Sequence, residues 1–422
     1  MTEEAPALRV PPPGFLADPG LGAVMAALPE ARVVGGAVRD ALAGLPVADI
    51  DLATPASPDQ VLAALERAGF RTIPTGLDHG TVTALVDGRG YEITTLRRDV
   101  ATDGRHAVVA FTDDWRTDAA RRDFTLNALS MDRHGAVFDY FGGVADLRAG
   151  RIRFVGDPAR RIAEDYLRIL RFFRFYARYA RTPPDAAATA AIRAGLPGLA
   201  RLSPERVWGE LRRILAVPDP CRTVALMAAL GVLGAVLPEG ADPDRLARMV
   251  EAGAPPDPLL RLAALSTGDP DAVADRLRLS NAERDRLRTL RAAPVPRPGD
   301  DDAALRRMLA DTPADVLIGR TWLTGGKGED WDALRVRLAA LPRPVFPLTG
   351  SDVLALGVAP GPRVGELLRS VRQWWLEGGC VAGAAACRSR LRNAALAPSP
   401  LSQGEGEEKS PPLPLRERLG EG

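Results

Sequence analysis

Histidine is nearly missing from this 422-residue chain, which holds only His79, His106 and His134. All three precede the long C-terminal part, so no histidine metal cluster can form there. Cysteine is as scarce. Cys221, Cys380 and Cys387 are odd in number and fit no zinc spacing, so reduced thiols are expected. Lysine occurs twice, at Lys327 and Lys409, within a Lys plus Arg total of 55. Arginine therefore supplies almost all positive charge, and a lone Arg carries less meaning than usual. No run of eighteen apolar residues occurs, which excludes a membrane-spanning helix. The acidic, proline-rich start lacks the apolar stretch of a secretory signal, so the cytoplasm is the expected compartment. There is no Gly-x-x-x-x-Gly-Lys-Ser/Thr loop, which argues against a P-loop ATPase. A net charge of +1 does not by itself mark a nucleic-acid binder.

What is present is unevenly distributed. From Gly156 to Leu215 there are twelve Arg against six Asp or Glu. Strand-like patterns end near Phe154, and nearly everything after it has helical periodicity. The reading is an α+β protein: a mixed-sheet head over residues 20–155, a helical neck over 156–230, and a helical body and tail over 231–395. Residues 1–19 are expected to be flexible. Residues 396–422, rich in Pro, Ser, Gly and Glu, are expected to be disordered. One uninterrupted helix is expected from Ala159 to Tyr179.

The most informative stretch runs Val33-Val34-Gly35-Gly36-Ala37-Val38-Arg39-Asp40. A short apolar strand leads into two glycines and then a helix. Gly35 and Gly36 allow close backbone approach to an anion at a helix N-terminus, and Arg39 adds a cation. Asp49-Ile50-Asp51 follows and reads as a strand, with both carboxylates on one face. Like charges that close are costly unless a cation lies between them. Mg²⁺ is the expected cation, because it takes carboxylate and phosphate oxygens together. A phosphate cradle beside such a pair fits two-metal nucleotidyl transfer.

These residues resemble the signature of the polymerase-beta-like nucleotidyltransferases. Gly-Gly-x-Val-Arg-Asp followed by Asp-x-Asp is similar to the class II CCA tRNA nucleotidyltransferase and bacterial poly(A) polymerase family. The resemblance is dense from Ala31 to about Leu215 and thinner from Leu348 to Gly378. It implies a polymerase-beta-like nucleotidyltransferase head followed by an all-α neck, body and tail.

Further motifs extend it. Arg121-Arg122-Asp123-Phe124-Thr125-Leu126-Asn127-Ala128 resembles the family's second motif, which contacts the incoming nucleotide. Arg122 suits a triphosphate, because a guanidinium binds phosphate in bidentate fashion. Asp123 can accept from ribose hydroxyls, and Asn127 can donate and accept. Glu164-Asp165-Tyr166-Leu167-Arg168-Ile169-Leu170-Arg171 resembles the base-reading motif, in which the Asp and first Arg read CTP and then ATP. Asp165 and Arg168, one helical turn apart, would select the base, with Arg171 and Arg174 supporting base or phosphate. Glu92, on a neighbouring strand, is a third carboxylate, a base for the attacking hydroxyl, or an exposed side chain.

Asp139 and Asp146 lie in a third motif and are expected to fix a hinge. Leu202-Ser203-Pro204-Glu205-Arg206 starts a helix expected to brace the base-reading one, with Ser203 as its N-cap. Asp103-Gly104-Arg105-His106 resembles the family's mobile loop. Trp374 and Trp375 read as core.

The resemblance implies tRNA as acceptor, CTP and ATP as donors, and no protein partner. Addition of CCA is the reading. A poly(A), C-only or A-only enzyme of the same family is the alternative, and a non-catalytic RNA-binding protein is the alternative of another class. The extension from Ala397 is not basic, unlike the one poly(A) polymerases of this family tend to carry.

Overall fold

The computed structural model describes residues 5–102 and 107–396. The expected mobile loop and most of the expected disordered extension lie outside the described residues.

Two compact units divide the chain. One holds residues 1–292 with 322–326, the other residues 293–321 with 327–422.

In chain order the first unit opens with β1 (Leu8–Arg9), α1 (Pro19–Ala27), β2 (Arg32–Val34), α2 (Gly36–Leu42), β3 (Asp51–Thr54) and α3 (Pro58–Arg67). Then come β4 (Arg71–Gly76), β5 (Thr81–Val86), β6 (Arg89–Thr95), β7 (Arg97–Thr102) and β8 (Ala107–Phe111). The head closes with α4 (Trp115–Ala120), β9 (Leu129–Met131), β10 (Ala136–Asp139) and α5 (Gly143–Ala149). Eight strands form one sheet in the order β1-β10-β9-β2-β3-β6-β5-β4, while β7 and β8 pair as a separate ribbon. The ribbon was not legible as strands in the sequence. All pairings in the large sheet are antiparallel except β3 with β6.

Residues 1–19 are not wholly loose. Leu8 pairs with Val137, and Leu8, Val10, Phe15 and Leu16 pack on the head core, which holds that segment down. Asp18 caps α1 through the Leu21 amide. Ser57 and Gln60 form a capping box on α3, as its sequence calls for.

The neck comprises α6 (Pro158–Glu164), α7 (Leu167–Tyr179), α8 (Ala186–Gly195) and α9 (Pro204–Leu215). The expected single helix from Ala159 to Tyr179 is thus two helices. Asp165 ends the first with an extended backbone, φ −155° and ψ 109°. Its carboxylate then accepts from the Leu167 amide and caps the second. Ser203 does stand at the N-cap of α9, but its side chain makes no capping hydrogen bond to the helix.

One face of α7 is apolar and buried through Leu170, Phe172, Phe173 and Tyr176. Phe172 and Phe175 meet Phe124 from the head at ring distances of 6.2 and 5.2 Å, and Phe154 stacks on Phe172. These contacts seat the Arg121–Ala128 segment against the neck. Asp139 accepts from the amides of Phe141, Gly143 and Val144, and buried Asp146 accepts from Thr125 and Arg153. Both therefore fix the end of the head, and neither bonds to the neck helices through these contacts.

The second unit is helical. One of its cores gathers Leu348, Val353, Leu367, Val371, Trp375, Cys387 and Leu391. Trp375 is thus core, as read, and the Leu348 region is a packed helical element.

Candidate active site

The carboxylate edge comes first. β3 begins at Asp51, so the strand expected over Asp49–Asp51 starts two residues late. Asp49 stands in irregular chain before it, yet both side chains line one cavity of about 660 Å³. That volume is in the usual range for a small-ligand site. Asp51 lies opposite Glu92 in the parallel β3–β6 pair. The protein packed around Asp51, then the charge of Glu92, push its carboxyl above the ordinary value. Arg122 opposes this, and Asp49 adds to it.

Such crowding is what a bound cation relieves. Among the described residues, no group of three or more His, Cys, Asp or Glu is gathered to hold a metal ion. The two aspartates alone fit a hard divalent ion whose remaining ligands are phosphate oxygens and water. Glu92 is exposed and does not line the cavity.

Gly35 and Gly36 also line it, and they differ. Gly35 sits at φ +65° and ψ −118°, a region closed to side chains, and a Cβ there would lie 3.0 Å from Arg122 Nη1. Its own amide is committed to Leu129 O in the sheet. Gly36 has no such backbone demand. The close approach in this cradle is therefore between Gly35 and Arg122. Arg122 is held by Asp118, at 3.2 Å, and by Asn127 O. Burial pulls its pKa down, opposed by Asp118.

Arg39 is not a free cation at the helix start. It is buried, and its Nε donates to Asp40 and to the Tyr179 hydroxyl, both at 2.9 Å. Its Nη1 donates to Asn127 Oδ1 at 2.6 Å. Asn127 Nδ2 donates in turn to Asp123 Oδ1 at 2.9 Å, and Asp123 Oδ2 accepts from Arg171 Nε at 2.6 Å. A continuous chain of hydrogen bonds thus runs from α2 in the head to α7 in the neck. Asp123 and Asn127, read as ribose contacts, are both only 7% exposed and spend these bonds inside the protein. Burial would raise the Asp123 carboxyl, but the Arg171 charge together with the hydrogen bonds from Asn127, Arg171 and the Phe124 amide outweighs it and holds the group below its ordinary value.

The helix break reshapes the pair expected to read the base. Asp165 is not one helical turn below Arg168, because it lies outside α7. Its Oδ2 accepts from Arg206 of α9 at 2.7 Å. Arg168 donates to Glu164 at 2.6 Å and to the Arg161 carbonyl at 2.8 Å. Arg174 donates to Glu210 at 3.0 Å, and burial holds its pKa down at about 10. Asp165, Arg168, Arg171 and Arg174 nonetheless line the same cavity as Asp49, Asp51, Gly35 and Arg122. Of the site residues picked from sequence, only Glu92 stands outside its wall.

Sequence reasoning missed three participants. Arg206 lines the cavity but was read only as part of a bracing helix. Tyr179 and Asp40 bond each other across 139 positions, a pairing no local pattern announces.

Comparison with known proteins agrees with this arrangement. The Poly A polymerase head domain matches residues 31–153, and the probable RNA and SrmB-binding site of polymerase A matches 185–242. The chain is 37% identical over 370 residues to human mitochondrial CCA tRNA nucleotidyltransferase 1, covering 83% of each protein. It is 35% identical over 364 residues to the CCA-adding enzyme of Geobacillus thermodenitrificans, covering 81% of this chain and 87% of that one. Among solved structures it is similar to the Bacillus stearothermophilus CCA-adding enzyme in complex with CTP. The TM-score is 0.70 at 28% identity, over 90% of this chain and 98% of that one. With the head, the carboxylate pair and the neck motifs all in one cavity, the chain belongs to the CCA tRNA nucleotidyltransferase family, the CCA-adding enzymes.

Proposed function

We propose that this protein completes tRNA 3′ ends by adding C, C and A from CTP and ATP without a template. The observation that carries the reading is the single cavity lined by Asp49 and Asp51 from the head and by Asp165 and Arg168 from the neck. A triphosphate spanning it would meet Arg122 beside Gly35, with Arg171 and Arg174 along α7. The tRNA 3′-hydroxyl attacks the α-phosphate, the new phosphodiester forms, and pyrophosphate leaves.

Asp49 and Asp51 would hold the divalent ions, magnesium by the hardness of the donor set. Bound there, the ions would lower the pKa of the attacking hydroxyl and offset charge on the α-phosphate. Glu92, opposite Asp51 in the β3–β6 pair, would add its charge beside the aspartates rather than ligate the ions. Asp165 uses one oxygen on the Leu167 amide and the other on Arg206, which leaves lone pairs for an exocyclic amino group. Arg168 would donate to the adjoining ring nitrogen. Cytosine and adenine share that amino-acceptor edge, whereas uracil and guanine present it reversed.

The expected compartment is the cytoplasm. Among the described residues no helix is long and apolar enough to cross a membrane, and the three cysteines are free thiols. Some relatives carry mitochondrial names.

The test uses purified protein and tRNA lacking CCA, with labelled CTP and ATP given singly and together. CTP alone should add two residues, and the pair should add three and stop. A long homopolymer from ATP alone would make it a poly(A) polymerase, and no incorporation would leave the non-catalytic reading.

A further inference from the structure

The segment between α2 and β3, residues 43–50, lines two cavities. Ala48 and Asp49, with Asp51 at the start of β3, line the nucleotide cavity. Leu45, Val47 and Ile50 line a different one, of about 490 Å³, which shares no residue with the first. Ile50 therefore stands between the two carboxylates in sequence but serves the other cavity. It is half-buried there and packs, with Val47, on the head core. Residues 45–50 belong to no helix or strand, so no ladder of backbone hydrogen bonds fixes Asp49.

The N-terminal segment completes this second cavity through Pro13, Gly14, Phe15 and Asp18. Phe15 and Leu16 pack on the same core as Ile50. Asp18 ties the segment to β6. Its Oδ2 accepts from Arg89 Nη1 at 2.6 Å, and its Oδ1 accepts from the Tyr91 hydroxyl at 2.7 Å and the Leu21 amide at 2.9 Å. β6 is also the strand that pairs with β3. The strap formed by residues 13–18 and the strand that begins at Asp51 are thus both referred to β6.

Asp49 and Asp51 repel each other, which favours any loop conformation that parts them. A small hard ion such as Mg²⁺ accepts little departure from its preferred geometry. The open volume beside Ile50 gives the loop room to shift once that side chain is shortened. We propose that Ile50 is a positioning residue for the divalent ions: seated in the cavity that the strap completes, it holds Asp49 and Asp51 at the spacing that ion binding requires. The proposal rests on the reading of those aspartates as the ion-holding pair.

Ile50→Ala tests it. The Mg²⁺ concentration for half-maximal CMP and AMP addition should rise about tenfold, and Mn²⁺ binding to the nucleotide-free protein, read by EPR, should weaken by a similar factor. The KM for tRNA should stay within about twofold of wild type. Ile50→Val should restore both metal readouts, since it keeps a branched apolar anchor. Asp18→Ala frees the strap without altering the loop. It should shift both readouts in the same direction, and it decides the matter if Ile50→Ala does not fold. Unchanged Mg²⁺ requirement and Mn²⁺ affinity in folded Ile50→Ala would overturn the proposal, as would a defect confined to the KM for tRNA. Failure of Asp49→Ala to weaken Mn²⁺ binding would instead overturn the underlying reading, so the two failures are distinguishable.

Discussion

Arg206 on α9 holds the Asp165 carboxylate at 2.7 Å, across 41 positions of sequence. The carboxylate proposed to read the base is therefore aimed by α9 as well as by the Leu167 amide. Arg206→Ala should relax base choice as Asp165→Ala does, admitting UTP or GTP on the order of tenfold better relative to CTP and ATP. The magnitude follows from the about 1–3 kcal/mol that an unpaired buried polar group costs. Arg168→Ala should do the same. Single-nucleotide incorporation with all four triphosphates checks this, and wild-type discrimination in all three variants would remove the helix from base reading.

Asn127 joins Arg39 to Asp123 through its two side-chain atoms. Asn127→Leu leaves both charged groups short of a partner. Stability should fall by about 1–3 kcal/mol per orphaned group, and the KM for both nucleotides should rise as Arg171 loses its fixed position. Urea unfolding and nucleotide kinetics report the two effects separately.

Asp123 titrates in a predictable direction. Burial opposes its charge, but the Arg171 charge together with hydrogen bonds from Asn127, Arg171 and the Phe124 amide outweighs it, so its folded pKa lies below the ordinary 3.8. The stability these partners contribute is present above 3.8 and is lost as pH falls through the folded value. Arg171→Gln removes the largest of them, so the folded pKa rises and less stability is lost on acidification. Thermal melts of both proteins from acid to neutral pH should show a shallower slope for the variant there, and an unchanged slope would contradict the assignment.

Glu92 is adjacent to Asp51 but outside the cavity wall. Glu92→Gln should lower the rate for CTP and ATP alike by about 10² while leaving tRNA binding intact. An unchanged rate would return Glu92 to an exposed strand position.

Much of this was legible locally. Gly35 at its demanding backbone angle, the Ser57 capping box and helices such as Pro204–Leu215 follow from neighbours in sequence. The residues that line the cavity could be picked out because their motifs are short and their chemistry is explicit. What escaped was set by distant packing. Leu8–Arg9 forms a strand only because β10 offers an edge. The break at Asp165 carries no proline or glycine; it is held by a cap to Leu167 and by Arg206. Arg39 and Asn127 looked like ligand contacts because sequence alone does not reveal that Tyr179 and Asp123 would claim them.

The central claim is that one cavity, with one carboxylate pair, serves both nucleotides. Asp49→Ala and Asp51→Ala test it most directly, with CMP addition to tRNA lacking CCA and AMP addition to tRNA ending in CC measured side by side. Both activities should vanish together in each variant, while tRNA affinity and thermal stability stay near wild type. Survival of either activity in either variant would contradict the account.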